Sequence, residues 1–547
     1  MTTAGQSDVR APALTRAQWD AECGVDLVGF TVGRLLIERA HQHPERAAIV
    51  GVRHGVGRSE RLSYGALLEE ATQVADALLT LTPRGSRVAL WAPNVIEWPI
   101  VQYGAALAGM VLVAINPALR DDELHYALEH SESRVLLHAD ANRDYDMAAV
   151  VQRVGRRLPQ LKCVSLSDSG AWRSATTEDA AVLDVPDDPD DVAMLQYTSG
   201  TTGRPKGVVL RHRSLVNVAK LTLEAVAAPA GAVCLNPLPM FHTAGCVIAT
   251  LGPLWVGGTV VVVDRFSPGP VLAALRAENV SVLFYVPAVL SALLETQRAS
   301  AEPAPRLDIV VGGASNVSPA LIEAAEDVFG ATVINLFGQT ELSPVLAATR
   351  PEDSREDQLN TVGRPLPQVD CRVVDPSSGQ IVDVGQVGEI CARGYQTFVE
   401  YLHDPRATAA TIDSDGYVHT GDLGSMDHRG YLTITGRLKE LIIRGGENIA
   451  PAEIETHVVG QHGIADCAVI GLPDERLGEI VAAVVRPAAD DSPPDKDALI
   501  KYLREHLAPF KIPTRWFVAS EFPVTPTGKV SRFELRDAVL DGRATEL

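Results

Sequence analysis

Residues 197–207 read YTSGTTGRPKG and form the most informative stretch of the chain. They include three glycines, four Ser or Thr hydroxyls and two cations, Arg204 and Lys206. Glycines allow tight turns that point successive backbone N–H groups at an anion, and the hydroxyls and cations add donors and charge. The stretch therefore predicts a loop that binds a polyphosphate. It lacks the Walker A spacing, and composition alone leaves an ordinary turn open as the alternative.

Size and composition exclude several classes of protein. A chain of 547 residues exceeds what one core supports, so we predict two or more domains. A net charge of -21 argues against a general nucleic-acid binder. Seven cysteines without a C-x-x-C pair indicate free thiols in the cytoplasm and argue against a disulfide framework or a zinc site.

Membrane insertion and secretion are not expected. The first 20 residues lack the apolar core of a signal peptide. The long apolar region 243–263 is interrupted by Gly252-Pro253 and Gly257-Gly258. This pattern predicts a buried helix, a turn and a strand over 259–263, and no transmembrane segment.

Helical and strand-like patterns alternate from residue 31 onward. Nearly continuous apolar strands between amphipathic helices predict an α/β fold with mixed, largely parallel sheets covered by helices. The predicted helices are 32–41, 63–81 and 96–108, and the predicted strands are 47–50, 87–91, 111–115, 260–263, 282–285, 309–311 and 332–334. Ser63 is the expected cap of the second helix.

The domain organisation follows from changes in this pattern. Residues 1–28 are predicted to be a flexible lead-in, and 29–436 a large N-terminal domain. Within that domain, the strand-rich region 363–393 predicts a small β subdomain. Residues 437–547, with helices near 451 and at 496–507 and strands at 468–470 and 480–485, predict a small α+β C-terminal domain.

A second candidate site lies at residues 335–341, NLFGQTE, directly after a predicted strand. Ligands of open α/β sheets bind at the carboxyl ends of strands. The ring of Phe337 offers a flat face to a purine, and the carboxylate of Glu341 offers oxygen atoms to a hard cation. Taken alone, the segment is also compatible with a plain turn.

Three further segments place reactive side chains on turns. In 417–422, YVHTGD, the carboxylate of Asp422 can accept hydrogen bonds from both hydroxyls of a ribose. In 526–532, PTGKVSR, Lys529 follows a turn, although by composition alone it is a surface lysine. In 239–245, PMFHTAG, His242 stands among apolar residues, where a histidine is usually a core group.

These five motifs, which follow one another between residues 197 and 532 in the order of the family, resemble those of the adenylate-forming superfamily: acyl-CoA synthetases, peptide-synthetase adenylation domains and luciferases. The compatible pattern from residue 31 extends the resemblance to nearly the whole chain. Segments 338–345, GQTELSPV, and 444–455, RGGENIAPAEIE, are most similar to bacterial medium- and long-chain fatty acyl-CoA ligases. The chain has Phe337 where many members have Tyr, which keeps the ring and loses a hydroxyl.

The resemblance implies a residue set for each ligand. The implied catalytic residues are Lys529, Thr198 and Glu341, of which Thr198 and Glu341 also hold Mg²⁺. The implied ATP and AMP contacts are Thr198, Ser199, Gly200, Thr201, Thr202, Gly203, Lys206, Gly313, Ala314, Ser315, Asn335, Leu336, Phe337, Gly338, Gln339, Thr340, Asp422, Arg437 and Lys529. The implied acyl contacts are Phe241, His242, Gly312, Gly313, Gln339 and Val345, and the implied CoA contacts are Lys439, Arg444, Gly445 and Gly446.

The implied function is that of an AMP-forming acyl-CoA ligase, which uses ATP, Mg²⁺ and CoA. It adenylates a hydrophobic, fatty acid and then transfers the acyl group to CoA, while a mobile C-terminal domain turns about a hinge near Lys439. Lys529 would stabilise charge as two anions meet, and the ionised acid needs no general base. An aryl-acid ligase and an enzyme that loads a carrier protein are the alternatives. The sequence leaves a homodimer open.

Overall fold

The computed structural model describes residues 13–52, 60–173, 184–198, 205–313, 317–444, 447–459, 461–474, 476–488, 495–524 and 530–547. Contacts divide the chain into two compact units. The larger unit comprises residues 19–371 and 392–419, and the smaller unit comprises 1–18, 372–391 and 420–547. The predicted boundary at 436/437 falls inside the smaller unit, because most of the β-hairpin formed by Val418–Met426 and Leu432–Arg437 belongs to that unit. The predicted domain division stays a prediction.

The first sheet of the larger unit has six strands, and its strands are parallel except for one edge pair. Apolar side chains on its faces pack against the helices Asp121–His130 and Met147–Arg157. In spatial order the strands are Lys206–Arg211, Val192–Thr198, Val111–Ile115, Arg87–Trp91, Val135–His138 and Lys162–Ser165. A short hairpin, Ala141–Asn142 with Tyr145–Asp146, accompanies this sheet.

The second sheet of the larger unit has nine strands, with a parallel centre and antiparallel pairs at both edges. Its core includes buried residues of the helices Pro268–Ala277, Pro287–Arg298 and Pro319–Phe329. The strands in spatial order are Arg364–Pro365, Ala347–Ala348, Thr332–Phe337, Ile309–Gly313, Val282–Tyr285, Val233–Asn236, Thr259–Val263, Ala47–Val52 and Glu60–Ser63.

The helix boundaries have local causes. The side chain of Ser63 accepts from Ala66 N, which confirms the predicted cap. Proline occupies the first turn of several helices, among them Pro268–Ala277, Pro287–Arg298, Pro319–Phe329 and Pro405–Thr411, where its missing N–H costs nothing. The other helices of the larger unit are Val32–Gln42, Tyr64–Leu81, Glu97–Ala108, Ser169–Trp172, His212–Ala225, Ala249–Trp255 and Arg355–Asn360, with a π-turn at Ala244–Ile248 and a 3₁₀ turn at Thr340–Leu342.

The smaller unit contains most of a five-stranded sheet and the whole of a C-terminal sheet. Four strands of the former have residues in the larger unit as well. The order of this sheet is Gln18–Trp19, Val369–Val374, Gly388–Gly394, Val418–Met426 and Leu432–Arg437. The C-terminal sheet contains Glu447–Ile449, Ile442–Arg444, Ile464–Asp474, Gly478–Pro487, Arg515–Val518 and Thr545–Glu546. Helices Pro451–Val459, Lys496–His506 and Arg532–Leu540 and the 3₁₀ turns Leu438–Glu440 and Pro509–Lys511 complete this unit.

The predicted α/β class is confirmed. Residues 13–28, inside the predicted lead-in, form hydrogen bonds with distant parts of the chain. Ala17 N donates to Val382 O at 3.0 Å, and Val28 N donates to Asn217 Oδ1 at 2.8 Å. Region 243–263 does form a π-turn, a helix and a strand. Among the described residues, no helix combines the length and apolar character needed to cross a bilayer.

Candidate active site

Both ends of the signature stretch 197–207 belong to strands, whereas the sequence suggested a loop over the whole stretch. Tyr197 and Thr198 end one strand, and Lys206 and Gly207 begin the next. The two strands pair antiparallel, with Tyr197 opposite Gly207 and Thr198 opposite Lys206. The flanks are strands because their apolar residues are buried in the first sheet. Of the predicted contacts here, Ser199, Gly200, Thr201, Thr202 and Gly203 lie outside the described residues.

Two glycines leave the carboxyl end of strand Ile309–Gly313 without side chains. Strands Ile309–Gly313 and Thr332–Phe337 run parallel, with Gly312 opposite Asn335. A Cβ on Gly312 would lie 1.9 Å from Tyr285 O, and one on Gly313, whose φ is +153°, would lie 2.2 Å from Leu336 O. The backbones approach too closely for any side chain, as expected at a ligand edge. Ala314 and Ser315, predicted to follow them, lie outside the described residues.

Asn335 begins the predicted purine and metal segment 335–341. Its Oδ1 accepts a hydrogen bond of 3.0 Å from the Tyr285 hydroxyl, which lies on strand Val282–Tyr285, on the far side of strand Ile309–Gly313. The strand continues through Leu336 and Phe337, both half-buried, and Gly338, Gln339 and Thr340 lead into a 3₁₀ turn. A Cβ on Gly338 would lie 2.1 Å from Pro344 O, so this turn also requires glycine.

Glu341, the predicted metal ligand, lies in that turn with 9% of its surface exposed. Its Oε1 accepts a 2.7 Å hydrogen bond from the Tyr401 hydroxyl. Burial and the negative charge of Glu341 raise the pKa of Tyr401 far above its usual value, so Tyr401 stays a protonated donor. The Tyr401 ring lies 4.5 Å from Lys206 Nζ. Glu341 is thus connected through Tyr401 to the strand that follows the signature loop.

The predicted acyl residues Phe241 and His242 follow strand Val233–Asn236. Their ring centroids are 4.2 Å apart. His242 O accepts from Gly245 N and Cys246 N, both at 3.0 Å, and the chain then forms the π-turn Ala244–Ile248. π-turns are rare and often lie at functional sites. Phe241 is buried, and so is Val345, another predicted acyl contact with an apolar side chain.

The predicted ribose contacts come together in the smaller unit. Asp422 and Arg437 are opposite each other on the hairpin of strands Val418–Met426 and Leu432–Arg437. Arg437 Nε donates to Asp422 Oδ1 at 2.7 Å. Asp422 is 4% exposed, whereas half of the Arg437 side chain is exposed. This asymmetric pair presents a guanidinium to solvent and holds the carboxylate in place.

The predicted CoA residues Lys439 and Arg444 lie close together along the chain. Lys439 precedes strand Ile442–Arg444 of the C-terminal sheet, and Arg444 ends it. Lys439 is exposed in the turn Leu438–Glu440. Arg444 Nη1 donates to Phe510 O at 2.7 Å. Gly445 and Gly446 lie outside the described residues.

Lys529 also lies outside the described residues, but Arg532 of the same motif is described. Its guanidinium donates to both carboxylate oxygens of Glu455, to Glu440 at 3.2 Å and to Val469 O at 3.3 Å. These ion pairs raise the pKa of the Arg532 guanidinium although burial opposes them. They attach the end of the lysine motif to helix Pro451–Val459 and to the turn at Glu440.

Comparison with known proteins identifies the family. The profile of the AMP-binding enzyme matches residues 36–402, and that of the AMP-binding enzyme C-terminal domain matches residues 453–529. The chain belongs to the AMP-binding enzyme family. The predicted resemblance is therefore confirmed.

Relatives agree over nearly the full length. YngI of Bacillus subtilis (strain 168), which bears the name of an acyl-CoA synthetase, is 34% identical over 94% of this chain and 98% of its own. The medium-chain acyl-CoA ligase ACSF2 of Macaca fascicularis is 29% identical over 93% of this chain and 87% of its own. ATP-bound MatB from Rhodopseudomonas palustris superposes with a TM-score of 0.83 at 28% identity, over 93% of this chain and 99% of MatB. The predicted enzyme class, an AMP-forming acyl-CoA ligase, is confirmed, and its acid is left unspecified.

Sequence motifs missed the aromatic and imidazole groups around the signature loop. Tyr401, 60 residues after Glu341, belongs to none of the five motifs. Tyr126 and His130 lie on helix Asp121–His130, which carried no motif at all. Only the spacing Tyr-x-x-x-His, which puts both side chains on one helix face, was available as a signal.

Proposed function

We propose that this AMP-binding enzyme activates a hydrophobic, fatty carboxylic acid and transfers it to CoA. The choice of acid rests on the predicted acyl residues, which are mainly apolar or small. Phe241 and Val345 are buried, and Gly312 and Gly313 tolerate no side chain. Such a lining favours an uncharged, flexible chain. The name of the medium-chain relative ACSF2 supports the same class.

In the first half-reaction the acid's carboxylate oxygen forms a bond to the α-phosphorus of ATP. The bond from that phosphorus to the bridging oxygen of the β-phosphate breaks, and pyrophosphate leaves. Both reactants are anions, so the chain's task is electrostatic and positional. In the second half-reaction the CoA sulfur attacks the acyl carbonyl, AMP leaves and a thioester remains.

Glu341 and Thr198 suit a magnesium ion that accompanies ATP. Both offer hard oxygen donors, the ligand type that Mg²⁺ prefers. The Tyr401 hydroxyl bonds to one oxygen of Glu341, and a carboxylate offers about four lone-pair sites, so this bond leaves acceptor capacity. Bound with ATP, Mg²⁺ would neutralise phosphate charge. Tyr401 fixes the orientation of the carboxylate.

Asp422 and Arg437 are proposed to bind the ribose and the phosphate, and Lys529 to stabilise charge in adenylation. The Asp422–Arg437 pair supports the first role, because the hydrogen bond of 2.7 Å holds the carboxylate while the guanidinium reaches solvent. Lys439 and Arg444, with Gly445 and Gly446, are proposed to contact CoA. We further propose that the enzyme works in the cytoplasm, where ATP and CoA are present.

The decisive test separates the half-reactions. Lys529→Ala should abolish acid-dependent pyrophosphate release and retain most thioester formation from supplied acyl-AMP. Lys501→Ala, which removes an exposed lysine of helix Lys496–His506, is the matched control and should change neither rate. Equal loss of both half-reactions in Lys529→Ala would contradict the assigned role.

The acid and the acceptor are tested together. Pyrophosphate release is measured over fatty, aryl and short acids, and thioester formation is then compared with CoA and with a phosphopantetheinylated carrier protein. We expect medium or long fatty acids and CoA to give the highest kcat/KM. A preference for aryl acids or for the carrier protein would replace the proposed substrate.

A further inference from the structure

One helix contacts both ends of the signature loop. The Tyr126 hydroxyl, on helix Asp121–His130, donates to Pro205 O at 3.1 Å. At the other end, Tyr197 inserts its hydroxyl against the last turn of the same helix. That hydroxyl donates to Ala127 O at 3.0 Å and lies 3.0 Å from His130 Nδ1. The residues between Thr198 and Pro205 are therefore bracketed by contacts with a single rigid element.

The direction of the His130 contact follows from counting protons. A tyrosine hydroxyl has one hydrogen, and here that hydrogen goes to Ala127 O. The second contact must then use an N–H on His130 Nδ1, with the Tyr197 oxygen as acceptor. Both the neutral Nδ1–H form and the imidazolium carry that hydrogen, so the bond persists when His130 titrates.

Aromatic packing stiffens the arrangement. The His130 ring lies 5.2 Å from Tyr126 and 5.9 Å from Tyr197, measured between centroids, and meets Tyr197 edge-on. Burial raises the pKa of Tyr197, so its hydroxyl stays protonated. All three side chains belong to the larger unit, as do the strands on both sides of the loop.

We propose that Tyr126, His130 and Tyr197 form an aromatic clamp that positions the signature loop for the polyphosphate of ATP. They are positioning residues, which act through the backbone of the loop. Fixing Tyr197 and Pro205 in advance reduces the conformational entropy that ordering these two residues on binding would otherwise cost. The inference rests on the proposed role of the loop in ATP binding.

Single hydroxyl deletions test the clamp. In Tyr126→Phe and Tyr197→Phe, the dissociation constant of ATP·Mg²⁺, measured without acid, should rise roughly three- to tenfold, the worth of one hydrogen bond. The KM for ATP should rise in parallel, while the KM for the acid stays within about twofold, because the two hydroxyls connect Pro205 and Tyr197, at the ends of the signature stretch, to one helix. A merely structural role would not separate these two constants.

Tyr145→Phe is the matched control. Tyr145 also donates its hydroxyl to a backbone carbonyl, that of Leu119 at 2.8 Å, just before the start of the same helix. It should leave the ATP affinity unchanged. Thermal unfolding without ATP, measured on all variants, separates lost folding from lost positioning.

Replacements of His130 provide a second series. His130→Asn keeps an N–H donor near the place of Nδ1 and should retain most ATP affinity, whereas His130→Leu should weaken it as much as Tyr197→Phe does. Wild-type ATP affinity in Tyr126→Phe, Tyr197→Phe and His130→Leu overturns the clamp, and so does an equal loss in Tyr145→Phe. A wild-type protein that binds ATP and forms no thioester would instead contradict the proposed function and leave the clamp measurable.

Discussion

At the residue scale, the most informative contact is the hydrogen bond between Tyr401 and Glu341. A carboxylate that is nearly buried requires partners, and Tyr401 supplies one without neutralising its charge. The hydrogen bond therefore orients the Glu341 carboxylate. The nearby ammonium of Lys206 lies over the Tyr401 ring, where a cation is attracted to the π-face.

Removal of the Tyr401 hydroxyl should slow adenylation. A hydrogen bond to a charged group contributes about 1.5–3 kcal/mol, so Tyr401→Phe should lower kcat/KM for pyrophosphate release by about tenfold or more. The measurement is steady-state release at saturating acid, with Tyr145→Phe as control. Unchanged kcat/KM would mean that the orientation of Glu341 does not limit the reaction.

The Asp422–Arg437 pair permits a test of the ribose site. Asp422 is 4% exposed, and Arg437→Met removes the guanidinium that donates to its carboxylate. ATP affinity should fall by roughly an order of magnitude, because the guanidinium proposed to contact the nucleotide and to orient Asp422 is removed. Isothermal titration with ATP·Mg²⁺ measures this, and Arg437→Lys, which keeps the charge without the planar fork, should be intermediate. Equal affinity in Arg437→Met and wild type would contradict the assignment.

At the scale of elements, the junction between two helices makes stability sensitive to acid. His212, the first residue of helix His212–Ala225, is buried, and its Nδ1 accepts a hydrogen bond from Val32 N at 3.2 Å. Burial lowers the pKa of His212 from 6.5 to about 4. The unfolded chain therefore binds an additional proton between those two values, and protonation favours unfolding.

The free energy of unfolding should decrease as the pH falls from about 6.5 towards 4, by about 3 kcal/mol from this group in total. His212→Asn retains an acceptor for Val32 N and cannot titrate, so its unfolding free energy should depend less on pH in this window. Urea unfolding at pH 7.5, 6 and 5 measures the difference. Identical pH dependence in wild type and variant would exclude His212 as the cause.

The close approach of strands at Gly312 predicts a severe effect of one methyl group. In Gly312→Ala the Cβ would lie 1.9 Å from Tyr285 O, which belongs to the backbone of the neighbouring strand and cannot rotate away. We expect a loss of several kcal/mol, on the scale of overpacked cores, or no folded protein. Gly269→Ala, in helix Pro268–Ala277 with open space around its Cβ, is the control and should unfold at least as late as wild type.

At the scale of the whole molecule, ligand binding should be visible as thermal stabilisation. ATP with Mg²⁺ at 100 times its Kd should add about 2.7 kcal/mol to the free energy of unfolding. Addition of EDTA should remove most of this gain, because the polyphosphate then lacks the charge neutralisation by Mg²⁺, for which Glu341 and Thr198 are the proposed ligands. Differential scanning fluorimetry with ATP alone, ATP·Mg²⁺ and ATP with EDTA checks this. An equal shift in all three conditions would contradict the metal assignment.

Much of the fold was predictable because its signals are local. Strand Arg87–Trp91 and strand Val282–Tyr285 have the expected bounds, since continuous apolar runs between turns leave little alternative. The Ser63 cap was predictable because a hydroxyl directly before a helix meets a free N–H. The five motifs were enough to identify the family, because their order along the chain is itself a constraint.

The sequence by itself determined the α/β class, the family and the ligase activity, since these depend on periodicity and on motifs that are each a few residues long. Only the tertiary structure decided which side chains support the motifs. Tyr401 reaches Glu341 and Tyr126 reaches Pro205 across separations of 60 and 79 residues. A hydrogen bond between such distant residues depends on how sheets and helices pack, and no local pattern in the chain encodes that distance.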